Sequence, residues 1–468
     1  MTARHDAGEL ALVLHTHMPY VEGFGTWPFG EEWLWEAMAT SYLPLLDVLA
    51  REEAAVTLSL TPVLCDQLEA PGVAERFLAF LADVRAETHR TDIEGSREGA
   101  PELVAELEAS ARDYERAAVR FQAIGRDLLG ALAPHAGWTS SATHAVLPLL
   151  ATSAGVELQA GTGIAAHRRR FEGWHGGFWL PECAHAPWLD PLLADLGVGT
   201  VCADLTDVLG RGAPAQLRPV RGRHGPTIVP IDREVIELVW SDRGYPAHGT
   251  YRDYHHHTVH HHRPWGNDGA PYDREAARKL AAAHARDFVA RVRTRLEEAS
   301  AALDRPPLCV CALDTELLGH WWHEGIAWLD AVIDEAAAQG LALARLDDAL
   351  GRREPAPLDE PLPVTTWGTP RDLSTWDGPA VADFAWRARA AELRVAAAGG
   401  AAGERALREL LALQSSDWVF MVTRRLAGDY PRERAAGHAA ELDRALASIG
   451  SAEADLRNLA PQLSRTAL

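Results

Sequence analysis

The 468-residue chain reads as an α/β protein built on a parallel sheet or barrel. Three observations point there. Short apolar runs of strand length alternate with helical stretches along most of the sequence, the pattern of parallel β/α architecture. Polar clusters (His15/His17, His144, Glu182 and Asp314/Glu316) fall at or just past the carboxyl ends of such runs, where active sites of these architectures gather. Two long stretches, 66–133 and the part after Trp376, are almost wholly helical and stand outside the alternation.

Taken in order, Glu9–Leu14 is a strand-like run delivering His15, Thr16 and His17. Gly23–Gly30 is a loop with Trp27 and Phe29 at its tip. Glu31–Ala50 carries Trp35, Met38, Tyr42, Leu45, Leu46 and Leu49 on one helical face. Ala55–Leu60 is a second strand, closed by Thr61-Pro62. The charged helical stretch that follows breaks at Ser96–Pro101. Thr139–His144 precedes a helix starting near Val146, and Phe178–Leu180 ends a short buried strand that Pro181 stops, because proline offers no N–H to a ladder. Gly199–Ala203 and Thr227–Val229 are further short strands. A long irregular segment after Trp240 runs to Gly269, and long loops of this kind are usually functional or disordered. Arg274–Ala302 is a long helix and Leu308–Leu313 a buried strand handing over to Asp314-Thr315-Glu316. A helix over Glu324–Ala338 and a strand at Leu341–Arg345 end the series. Arg353–Pro363, rich in proline and charge, reads as a linker.

Composition narrows the function. Hydrophobic residues make up 47% of the chain, enough for a sizeable core, and the net charge is −21. That balance argues against nucleic-acid or anionic-membrane partners, which need a basic footprint, and suits a neutral substrate. No run approaches the ~20 apolar residues of a membrane span, and the apolar start is too short for a signal segment. Five cysteines without a CxxC pair read as reduced thiols of a cytoplasmic protein. Tryptophan, at 16, outnumbers tyrosine and phenylalanine, and many of the indoles lie near polar motifs.

The sharpest of those motifs is GFWLPECAHAPW, Gly177–Trp188, in which Glu182 sits between Trp179 and Trp188. Taken alone it fits either a surface carboxylate in a strand-to-helix turn, where acidic residues favour the helix start, or a site gripping a flat polyhydroxylated ring. Asp314 offers a second carboxyl, with His320, Trp321 and Trp322 behind it, although an aspartate there also suits a helix N-cap. A carboxylate pair can cleave a glycosidic bond, one attacking the anomeric carbon while the other protonates the leaving oxygen. A competing reading is a metal site: His15 and His17 alternate on a strand, and Asp314 or His144 completes a zinc set. The tract His255–His262, HHHTVHHH, reads as solvated.

The segments HTHMPYV (His15–Val21), ATH (Ala142–His144), GFWLPECAH (Gly177–His185), ALDTELLGHWWHEG (Ala312–Gly325) and LQSSDWVF (Leu413–Phe420) resemble, in order, the five signature regions of glycoside hydrolase family 57, and within it the glycogen (1,4-α-glucan) branching enzymes. The resemblance implies an incomplete (β/α)7 TIM-like barrel over 1–65 and 134–352, a helical insertion over 66–133 and an all-helical C-terminal domain over 353–468. It implies a retaining transfer with Glu182 as nucleophile and Asp314 as general acid/base, and no metal or cofactor. Substrate contacts would come from His15, His17, His144, Trp179, His320, Trp321 and Asp417, with Trp27, Trp265, Trp376 and Trp418 as aromatic walls holding α-glucan donor and acceptor. The sequence departs from the family in several places, one of them the stretch after the TWG triplet (Thr366–Gly368), where TPRDLSTWDGP (Thr369–Pro379) replaces the usual glycine-rich turn. Asp204–Val229 is short and lacks the tyrosine that family members carry over the site, and His185 stands where a tyrosine is usual. A loop-shortened α-glucan hydrolase and a catalytically weak glucan-binding protein are the alternatives. Oligomeric state is not legible.

Overall fold

The computed structural model describes residues 8–358, 360–449 and 463. Its frame is a curled sheet of strands β1 (Glu9–Thr16), β2 (Val56–Leu60), β3 (Ala136–Ser140), β4 (Gly177–Trp179), β5 (Thr200–Ala203), β6 (Val220–Arg221), β7 (Thr227–Pro230), β8 (Leu308–Asp314), β9 (Ala342–Leu343) and β10 (Ala356–Pro357). The order across the sheet is β10-β6-β7-β5-β4-β3-β2-β1-β8, with β9 on β1; among these described strands the β6/β7 pair is antiparallel and the others are parallel. β1 and β8 are apolar along nearly their whole length because both of their faces are covered, as parallel strands require.

The strands β7 and β8 at the two ends of the main series are not laddered together. Among the described residues a backbone bond just past β7, from the N–H of Asp232 to the carbonyl of Val310 at 2.8 Å, links that end of the sheet to β8. The result is an incomplete (β/α)7 barrel. Helix Arg274–Ser300 is capped by Asp273, whose side chain accepts from the N–H groups of Glu275 and Ala276. It buries Ala277, Ala281, Ala285, Phe288, Val292 and Leu296 at helical spacing against helix Gly325–Gln339 and the sheet.

Within 66–133 the chain is helical, and the break expected near Ser96–Pro101 falls where Ala86–Gly99 ends and Pro101 opens the next turn. Glu31–Leu49 is helical as its periodicity implies, with one wider turn at Met38–Tyr42. The helix expected near Val146 starts later: a short turn at Leu147–Leu149 precedes Ser153–Arg170, which Thr152 caps. Ile236–Trp240 enters the irregular segment as the end of a helix, Arg233–Val239. The Arg353–Pro363 linker is partly sheet, because Ala356 pairs with Val220 and extends the edge beyond β6. Beyond it, helices Ala382–Ala398, Gly403–Leu413, Ser416–Arg424 and Tyr430–Ala447 form their own apolar cluster, which includes Tyr20, Val63 and Leu158 of the barrel region. All five cysteines are free and buried. Among the described residues no helix is long and apolar enough to cross a membrane.

Candidate active site

Parallel register brings the polar ends of the strands into line. His15 of β1 pairs with Ser59 of β2 on one side and Asp314 of β8 on the other. Its Nδ1 lies 3.2 Å from Ser59 Oγ, and its Nε2 lies 3.0 Å from Nε2 of His144. Nδ1 of His144 in turn lies 2.8 Å from Ser416 Oγ. The rings are stacked: His144 is 4.9 Å from His15 and 4.1 Å from His17, and Trp179 lies 4.6 Å beneath His15. Burial, reinforced by neighbouring imidazoles, holds His15 and His144 well below the ordinary histidine value. Both are therefore neutral at neutral pH, which lets one Nε2 donate and the other accept.

His17 has the opposite character. Burial opposes its charge, but the charge and hydrogen bond of Asp417, with Glu316 and Glu182 behind, raise it above the ordinary value. Nε2 of His17 contacts both Asp417 oxygens at 3.0 and 3.1 Å, and Nδ1 lies 3.1 Å from Thr61 Oγ1. Asp417 also accepts from Ser415 Oγ, and its carboxyl is held low by His17 despite burial.

Glu182 follows the proline that ends β4. Its φ of 60° lies in the left-handed region, as does that of His144 at 59°. Such conformations cost non-glycine residues on the order of 1 kcal/mol and cluster at functional sites. Neighbouring chain pins Glu182 in place: its carbonyl accepts from Thr366 Oγ1 at 2.6 Å and from Trp367 N–H at 3.1 Å. Its carboxylate accepts from Trp367 Nε1 at 2.9 Å on Oε2 and from Ser416 Oγ at 3.4 Å on Oε1, with His144 Nδ1 at 3.7 Å. Burial raises its pKa to about 7, against the pull of Trp367, while Asp417 adds to the rise and His17 opposes it. The Glu182 side chain keeps 15% exposure, beside 11% for His17 and 14% for Asp417, so these three share a small opening to solvent.

At the end of β8, the Asp314 carboxyl accepts no hydrogen bond among the described residues. Burial and the charges of Glu316, Glu182 and Asp417 push it well above the usual carboxylate range. Glu316 is braced by Tyr42 O–H at 2.5 Å and the His17 N–H at 3.1 Å, and burial raises it to about 7. The turn beyond needs Gly319 (φ 96°), where a Cβ would stand 2.0 Å from the Thr40 carbonyl. Glu182 and Asp314 thus sit in one cluster under different conditions: the first is offered N–H and O–H donors, the second none. Such divergence is how paired carboxyls take separate acid and nucleophile roles.

The donor atoms of His17, His144 and Asp417 lie within 4.8 Å of one another. All four ring nitrogens are already engaged, His17 between Thr61 and Asp417 and His144 between Ser416 and His15. The arrangement is a hydrogen-bonded lattice rather than a set of free ligands.

The aromatic residues divide. Trp321 is 47% exposed and stacks on Tyr254 at 5.0 Å, and His320 meets the same Tyr254 edge-on. With Arg252, Arg263, Tyr114 and Glu36 they line a cavity. Trp27, 52% exposed, meets His261 at a tilt with centroids 4.0 Å apart, and the half-buried Trp265 stacks on His256. Trp376 and Trp418 do not form walls: they are 2% and 0% exposed, and the indole N–H of Trp418 is spent on the Ala412 carbonyl. Trp418 packs among the C-terminal helices, whereas Trp376 packs with Leu373 against Val146 and Ala184 of the barrel region. Trp179 is also fully buried and supports His15 from below. The solvated reading of the histidine tract holds for His255–His257 alone. His260 bonds Asp92 at 2.6 Å and His262 is buried against Thr88, so this half docks on helix Ala86–Gly99. His185 is buried and bonds Asp190 at 2.8 Å, while its backbone bridges Thr365.

Sequence reasoning missed Trp367, Ser416, Ser59 and Thr61, whose contacts span the chain. Only LQSSDWVF and the TWG triplet hinted at two of them.

Two buried carboxyls with raised pKa values, set beside the neutral His15 and His144 and the His17–Asp417 pair, are an arrangement that can break glycosidic bonds. Comparison with known proteins agrees. Residues 138–356 match the family described as glycosyl hydrolase family 57, and residues 387–466 match the C-terminal region of 1,4-alpha-glucan branching enzymes. A probable 1,4-alpha-glucan branching enzyme of Mycobacterium tuberculosis is 34% identical, covering 92% of this chain and 90% of its own. The structure of a GH57-type branching enzyme from Pyrococcus horikoshii superposes with a TM-score of 0.88 at 29% identity, over 95% of this chain and 90% of that one. An alpha-amylase of Thermotoga maritima shares the fold, with a TM-score of 0.78 at 23% identity over 94% and 93%. The chain belongs to glycosyl hydrolase family 57.

Proposed function

We propose that the chain is a 1,4-α-glucan branching enzyme, cutting an α-1,4-linked chain with retention and joining it to a 6-hydroxyl of an acceptor glucan. The names of its relatives and the C-terminal match support this reading. Glu182 is the nucleophile and Asp314 the general acid/base. The observation that carries the assignment is the contrast between them: Asp314 is pushed up with no donor to stabilise its charge, so it holds a proton, while Glu182 is supplied with donors for its anion. His15, His17, His144 and Asp417 line the floor around the reacting sugar. Trp321, Tyr254, Trp27 and Trp265 serve donor and acceptor chains. The barrel would comprise 1–65 and 134–352, with 66–133 inserted and 353–468 appended. Free buried cysteines support a cytoplasmic setting.

One observation favours hydrolysis as a second reading. The segment after β5 folds back as β6 on β7 and carries no tyrosine toward the site. The test is proton NMR of amylose after incubation. New α-1,6 signals exceeding new reducing ends support branching, and dominant reducing ends support hydrolysis. Glu182→Gln and Asp314→Asn are each expected to abolish turnover with the fold intact.

A further inference from the structure

We propose that Trp367 is a positioning residue for Glu182: its indole N–H holds Oε2 and so presents Oε1 to the anomeric carbon. This rests on Glu182 being the nucleophile. The Nε1–Oε2 distance is 2.9 Å, whereas Oε1 has longer contacts, Ser416 Oγ at 3.4 Å and His144 Nδ1 at 3.7 Å. The same segment clamps the strained backbone, since Trp367 N–H and Thr366 Oγ1 both donate to the Glu182 carbonyl.

The indole has little freedom to turn. Its ring lies edge-on between Trp179 at 5.2 Å and Trp240 at 5.2 Å, and Arg233 bonds its carbonyl at 2.9 Å. A donor fixed from three sides costs no reorganisation when charge returns to the carboxylate. In the first step an Oε1–C1 bond forms as the C1–O4 bond breaks, and the departing oxygen takes the Asp314 proton. In the second, the acceptor oxygen bonds C1 and gives its proton to Asp314, while the Oε1–C1 bond breaks and its electron pair returns to Glu182. The Trp367 N–H faces that returning charge. Other groups facing the carboxylate are His144, Ser416, His17, Asp417 and Asp314, with Arg233 and its partner Asp204 behind Trp367.

The test is Trp367→Phe, which keeps an aromatic ring and removes the donor. The expected result is a kcat about tenfold to a hundredfold lower, an amylose KM within about twofold, and an acid limb of kcat/KM moved up by roughly one pH unit. Trp367→His, which keeps a ring N–H, is expected to leave that limb near its original position. Trp367→Tyr, also without a donor at that point, replaces the first variant if circular dichroism shows it unfolded. A kcat loss with an unmoved acid limb, or no loss, overturns the proposal. Activity surviving in Glu182→Gln instead overturns the nucleophile assignment on which it rests.

Discussion

Nε2 of His17, one residue past β1, lies 3.0 Å from Oδ1 of Asp417 in helix Ser416–Arg424, four hundred residues further along the chain. The pair joins the first barrel strand to the C-terminal helices at the opening beside Glu182. Ser415 and Ser416 arrive on the same turn, one bonding Asp417 and the other reaching both His144 and Glu182. The barrel alone therefore holds an incomplete site.

Replacing Asp417 with alanine strands a buried imidazolium, and breaking such a pair costs about 3 kcal/mol. His17 then falls from its raised value. Glu182 and Asp314, both pushed up in part by the Asp417 charge, fall as well. Urea unfolding is expected to show the stability loss, and kcat/KM to drop about 10²-fold with its acid limb displaced to lower pH. An unmoved limb would show that the Asp417 charge does not reach Glu182.

The pH profile of the native enzyme follows from the two carboxyls. Glu182 must be ionised to attack, and burial raises it to about 7, so kcat/KM should decline as pH falls through that value. Asp314 must hold its proton and lies well above its usual range, so activity persists on the alkaline side until that proton is lost. Asp314→Asn, assayed with a donor whose leaving group needs no acid, should keep the acid limb and lose the alkaline one. Retention of the alkaline limb in that variant would remove Asp314 from the acid role.

The Trp321–Tyr254 stack tests the acceptor side. Trp321→Ala should raise KM for amylose about tenfold, because a sugar-stacking indole is worth on the order of 1–2 kcal/mol, and should lower the ratio of α-1,6 linkages to reducing ends. Tyr254→Phe keeps the stacking face and should change little. Equal branching ratios in Trp321→Ala and the native enzyme would place glucan elsewhere.

Much of the barrel was legible because strands buried on both faces are continuous apolar runs, as at Leu308–Leu313, and their polar ends are conspicuous. His15, His17, His144, Glu182 and Asp314 stand out on that ground alone, and the structure brings them into one cluster. Exposure was not legible. Trp376 and Trp418 sit beside polar residues in sequence yet are buried, Trp418 among the C-terminal helices and Trp376 against Val146 and Ala184, since a local pattern does not say which face meets another element. Trp367 was hidden for a related reason. Its partner lies 185 positions away, and only the crossing of an extended segment over the end of β4 brings them together. Likewise, Arg353–Pro363 has a linker's composition, but its strand pairing depends on an edge at Val220 that composition cannot reveal.

The most direct test of the account is covalent trapping. Asp314→Asn enzyme, incubated with an α-maltosyl fluoride donor, should accumulate a glycosyl-enzyme, because fluoride leaves without acid help while release of the sugar still needs the missing base. Peptide mass spectrometry should then find the sugar on Glu182 within Gly177–Trp188. A label on another carboxylate, or no covalent adduct while the donor is consumed, would contradict the assignment of Glu182 as nucleophile.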